Sequence, residues 1–103
     1  MDFSITGELV DQVYSADFFD KTETKSLTEL AQLLSTSFNI PFTVSFEKQD
    51  GKERILRGRL KSPEPLLGRS YVEDLDKKEN RIRLVDHRHL NWMIVNGVKY
   101  VRK

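Results

Sequence analysis

No cysteine occurs anywhere in the 103 residues, so disulfides, thiolate metal sites and a thiol nucleophile are all excluded. There is no apolar run near the 18 residues of a membrane helix, and no span is expected. The first residues, Met1-Asp2-Phe3-Ser4-Ile5, show no basic stretch followed by an apolar core, and a secretory signal is not expected either. Also missing are a glycine-rich phosphate loop, a nucleophile-elbow serine, an internal repeat and a low-complexity tract. The expectation is a non-catalytic, cofactor-free chain without a small-molecule substrate or a membrane partner, working in the cytoplasm.

What remains is an ordinary globular composition with an uneven charge distribution. The length suits one domain with one core, and 38% hydrophobic against 32% charged residues argues against disorder. The net charge of +1 conceals a split. Residues 1–40 hold seven acids and two bases, a net of −5; residues 41–103 hold fifteen bases and nine acids, a net of +6. Either the acidic part covers some of the basic part, or the two offer separate surfaces to partners.

Residues 1–25 form an acidic arm. Leu9, Val10, Val13 and Tyr14 share one face of a short helix if the chain turns helical after Gly7. Asp17-Phe18-Phe19-Asp20 sets two aromatics between two acids; the rings either dock on the core or anchor a protein partner. An amphipathic helix over 26–40 comes next. Ser26 and Glu29 have capping-box spacing, Leu27, Leu30, Ala31, Leu34 and Phe38 make one apolar stripe, and Asn39 with Pro41 ends it.

From Pro41 the apolar period changes to two. Phe42, Val44 and Phe46 alternate with Thr43, Ser45 and Glu47, then Asp50-Gly51 marks a hairpin. The returning strand, 52–61, points Leu56 and Leu60 one way and Ile55, Arg57, Arg59 and Lys61 the other, with Gly58 suggesting a bulge or bend. Ser62-Pro63-Glu64-Pro65 reads as a loop. Strands over 70–75 and 81–85 follow, the second with Ile82 and Leu84 inward and Arg81 and Arg83 outward. A short turn covers 86–90, and Asn96-Gly97 joins a last hairpin. The fold class is therefore α+β, mainly β: a small SH3-like barrel of five to six antiparallel strands over 41–103, preceded by the amphipathic helix. A ferredoxin-like sandwich needs a second full helix after residue 40, and none is evident.

The hairpin Val44-Ser-Phe-Glu-Lys-Gln-Asp-Gly-Lys-Glu-Arg54 resembles the opening of a family of small bacteriophage proteins with a WYL-like, Sm-like SH3 β-barrel fold. The matching positions are Phe46, Lys48, Asp50, Gly51, Arg54, Ile55 and Leu56. A second block is similar at Val72-Glu-Asp-Leu-Asp76, at Arg81-Ile-Arg-Leu-Val-Asp86 and at the strand near Trp92. About sixty residues are covered. The resemblance implies a phage origin, an accessory role in the host bacterial cytoplasm, and no reaction.

His87 and His89 stand two apart but no third metal ligand is patterned with them, so they are expected to be structural or surface groups. The basic face is the more informative feature. Arg57, Arg59 and Lys61 project from one strand face roughly 6–7 Å apart, close to phosphate spacing along an extended strand, roughly 6–7 Å. Arg81 and Arg83 are candidates for a second row, and Tyr71, Trp92 and Tyr100 for stacking platforms beneath unpaired bases. The competing role for the arginines is a solvated, edge-protecting one. Regulation by contact with nucleic acid, or with a nucleic-acid-handling machine, is the leading expectation. The alternative is inhibition or modulation of a host polymerase, nuclease or defence enzyme through Asp17, Phe18, Phe19 and Asp20, and a virion component is a third class.

Overall fold

In a computed structural model of the chain, residues 16–103 are described. The short helix expected around 9–14 lies outside them. The elements in order are β1 (Phe19–Lys25), α1 (Leu27–Thr36), β2 (Phe42–Glu47), β3 (Glu53–Glu64), β4 (Arg69–Asp74), β5 (Ile82–Asp86), β6 (Leu90–Val95) and β7 (Gly97–Arg102). Single 3₁₀ turns at Pro65–Leu67 and His87–His89 precede β4 and β6. The protein is α+β and mainly β.

Helix α1 starts where its cap chemistry dictates. The Glu29 amide donates to Ser26 Oγ at 3.1 Å and the Ser26 amide donates to Glu29 Oε1 at 2.9 Å, so two amides that the first turn leaves without partners are satisfied reciprocally. It stops at Thr36. Thr36 and Ser37 turn their hydroxyls onto the Gln32 and Leu33 carbonyls at 2.7 and 2.6 Å, and Asn39 enters the left-handed region at φ 61°. Phe38 thus falls beyond the helix and is 55% exposed, not part of the apolar stripe. Leu30 and Leu34 are fully buried and pack on one sheet face with Phe42, Val44, Phe46, Leu56, Val72, Val85 and Met93. That face holds the core.

The sheet has seven strands in the order β1-β7-β6-β2-β3-β4-β5. Over 41–103 the six strands β2–β7 pair antiparallel, as their short connections lead one to expect. The addition is β1, from the segment expected to be an arm, which runs parallel to β7 and is one end of the strand order, β5 being the other. β1 is polar, and it forms by pairing with a strand far along the chain, Phe19 with Gly97 through Lys25 with Arg102, which local periodicity does not register. At the Asn96-Gly97 turn both residues have positive φ, 53° and 78°, the geometry of the tightest hairpins.

Three further corrections concern β3 and β5. Gly58 marks a close crossing and not a bulge: a Cβ there would lie 2.3 Å from Val72 Cγ1 and 2.8 Å from the Glu73 carbonyl oxygen. The irregularity falls between Leu60 and Ser62. The proline-rich stretch after Lys61 stays in β3 to Glu64 because, beyond Gly58, β3 pairs only with β4 and a one-sided ladder tolerates proline. On β5 the faces are reversed. Val85 is buried opposite Ser70 and Arg83 lies opposite Val72, while Leu84 and Ile82 lie opposite Tyr71 and Glu73 and are 50% and 45% exposed. Apolar residues at 82, 84 and 85 support either phase, and a one-residue slip exchanges the faces.

Candidate nucleic-acid interface

The core face carries Leu56, Leu60, Val72 and Val85, so the alternate residues of β3–β5 form the opposite face. On it Arg59 pairs across with Glu73, which pairs with Ile82, and Ser62 pairs with Tyr71, which pairs with Leu84. Lys61 is the extra residue of the bulge and is exposed. The structure therefore places Arg59 and Tyr71 in neighbouring rows of one surface, with the exposed Lys61 at the irregularity between those rows.

Arg57 shares this face but is already neutralised. Its Nη1 donates to Asp17 Oδ2 at 2.9 Å, and its Nε and Nη2 donate to Asp76 at 3.2 and 2.5 Å. These bonds, those to Asp76 foremost, push the guanidinium further above its ordinary range and hold the Asp76 carboxyl below its own. Asp17 also accepts from Thr43 Oγ1 at 2.6 Å. The acidic segment and the basic domain thus meet at a defined point. Among the described residues no carboxylate pairs with Arg59 or Lys61 within 4 Å.

The second basic row has a different environment from the one expected. Arg81 pairs with Glu73 at 3.3 Å. Arg83 turns toward the core side, where its Nε stands 3.9 Å from Asp74 Oδ2 and its Nη1 donates to the Asn80 carbonyl at 2.7 Å. Asp74, 3% exposed, also receives Arg54 at 3.4 Å and the Asp76 amide at 2.9 Å. Arg54, a matching position of the hairpin resemblance, is a charged neighbour missing from the basic contact candidates, because its position opposite Phe46 makes sense only once β2 and β3 are paired.

The aromatic candidates separate as clearly. Tyr71 sits on the open face with the Arg69 guanidinium 5.9 Å from its ring, and Arg69 is itself held by Glu64 at 2.5 Å. Trp92 is covered by Lys99, whose Nζ lies 4.6 Å from the indole and 5.4 Å from the Phe19 ring. Tyr100 packs against the core, with Lys25 Nζ at 5.0 Å. Phe18 and Phe19 are 57% and 41% exposed, and Asp20 is exposed beside them.

His87 is a structural group. It is buried, its Nε2 lies 2.7 Å from the buried Ser70 Oγ, and its amide donates to the Gly68 carbonyl at 2.9 Å. Burial pushes its imidazole below the ordinary histidine range, against the opposing pull of Asp86. Asp86 is held down to about 2 by Arg88, which donates to both its oxygens. Among the described residues no group of three or more His, Cys, Asp or Glu side chains is placed to hold a metal ion, and no helix is long and apolar enough to cross a membrane. No family model, no curated protein and no solved structure matches the chain.

Proposed function

We propose that the protein is a non-catalytic nucleic-acid-binding regulator that takes a single strand across the β3–β4 face, with Arg59 and Lys61 on phosphates and Tyr71 beneath a base. One observation carries this: two cations without a carboxylate partner among the described residues share a surface with a half-exposed aromatic ring. Cations supply affinity through counterion release, and a ring face accepts any base. The order β6-β2-β3-β4-β5, after a helix and with a 3₁₀ turn before β6, favours an SH3/Sm-like small barrel as the underlying fold. A phage-type accessory role rests on the hairpin resemblance alone.

Titration of a fluorescent single-stranded oligonucleotide at two salt concentrations tests the proposal. Arg59→Gln with Lys61→Gln is expected to flatten the logarithmic salt slope by about 1.4, and Tyr71→Ala to weaken binding by roughly 5- to 150-fold. Absence of binding at low salt refutes it.

A second reading has its own observation, the exposure of Phe18 and Phe19 next to Asp20. In it these rings anchor a protein partner. Phe18→Ala with Phe19→Ala then abolishes co-purification of that partner while nucleic-acid binding survives.

A further inference from the structure

A cavity of about 640 Å³ opens where β5 and the 3₁₀ turn at His87–His89 face the end of β2 and the start of β3. It lies at the β5 edge of the sheet, lined from the core side by Phe46, Arg54 and Arg83 and from the other phase of β5 by Leu84 and Asp86, and it includes neither Arg59, Lys61 nor Tyr71. Four cations line it, Lys48, Arg54, Arg83 and Arg88, against two carboxylates, Glu47 and Asp86; His89 adds an imidazole. Phe46 and Leu84 supply apolar wall.

The charges are only partly cancelled, because two of the cations share one carboxylate. Among the described residues Arg88 is matched by Asp86 at 2.8 Å, and Lys48 meets Asp50 at 3.7 Å. Arg54 and Arg83 share the single carboxylate of Asp74, one of whose oxygens also serves the Asp76 amide. The Nε–H groups of both arginines are buried and have no acceptor among the described residues. Such donors carry a desolvation cost until an acceptor reaches them. Arginine forks match the geometry of phosphate oxygens, and a volume of several hundred Å³ is that of a small-molecule site.

We propose that this cavity binds the phosphate group of a small phosphorylated ligand of nucleotide size. One carboxylate-bearing ligand would satisfy a single guanidinium fork; a phosphate dianion engages Arg54 and Arg83 together, with Lys48 at the rim. Phe46 and Leu84 then flank the uncharged part of the ligand.

Calorimetric titration at low salt, with pyrophosphate, a nucleoside triphosphate and the matching nucleoside as probes, tests the assignment. The two phosphorylated probes bind the wild-type chain and the nucleoside does not. Arg54→Gln and Arg83→Gln weaken binding by at least about tenfold. Lys48→Gln, at an exposed turn position, weakens it severalfold with an unchanged melting temperature, which separates loss of binding from loss of fold. Arg59→Gln with Lys61→Gln leaves pyrophosphate binding intact, so this site and the nucleic-acid surface fail independently. Absence of heat with both phosphorylated probes at millimolar concentration overturns the proposal. So does nucleoside binding as tight as triphosphate binding, or wild-type affinity in the Lys48 and Arg83 variants.

Discussion

Arg57 and Arg59 stand two positions apart on one strand face, yet only Arg57 meets carboxylates, from Asp17 and Asp76. Spacing sets where a side chain projects; what it encounters depends on segments nineteen and forty residues away. The same holds for Gly58, whose missing Cβ makes room for Val72 and the Glu73 carbonyl. Gly58→Ala forces one of them to move, and overpacking of this kind costs about 1–3 kcal/mol. The denaturation midpoint of that variant is expected to fall accordingly, and an unchanged midpoint would show that β3 and β4 separate freely.

Among the elements, α1 was legible because its signals are local. Ser26 and Glu29 lie three apart, and Leu27, Leu30, Ala31 and Leu34 recur at helical spacing. Ser26→Ala removes an acceptor at the cap and is expected to cost about 1 kcal/mol, read as a lower urea midpoint with unchanged cooperativity. The end of the helix was less legible, since the Thr36 and Ser37 hydroxyls satisfy the last carbonyls earlier than Pro41 requires. β2 and the Asn96-Gly97 hairpin follow directly from alternation and turn chemistry. β1 does not: a polar segment becomes a strand only because β7 offers it a parallel edge. The faces of β5 were ambiguous, and the buried Asp74 with Val85 selects the phase that turns Arg83 inward and leaves Ile82 and Leu84 in solvent.

Across the whole molecule, His87 links stability to pH. It fastens the turn before β6 to Ser70 on β4, so its protonation opposes global folding. Burial lowers its folded-state pKa below the ordinary 6.5. Between that lowered value and 6.5 the unfolded chain binds more protons than the folded one, so this stabilisation is complete above pH 6.5 and is lost on acidification below it. The melting temperature is expected to drop as pH falls from 7 toward 5, with a slope from this group of at most about 1.4 kcal/mol per pH unit. His87→Gln removes that slope component; an identical pH profile in the variant would place the sensitivity elsewhere. The uneven charge along the chain acts at this level too, because Asp17, from the acidic stretch, contacts Arg57 and Thr43 of the basic domain.

Local chemistry along the chain sufficed for the helix start, the tight turns, the apolar half of β2 and β3, and the mainly β character. Each of these depends on residues within a few positions of one another, where sterics and capping act without outside help. Strand order, the parallel β1–β7 pair, the phase of β5 and the pairing of Arg54 and Arg57 depended on contacts between distant segments. A hydrogen-bonded edge or a buried carboxylate has no counterpart in the periodicity of the strand that meets it. For that reason the cations of the β3 face could be enumerated from sequence, but that Arg57 among them meets carboxylates followed only once Asp17 and Asp76 had taken their places.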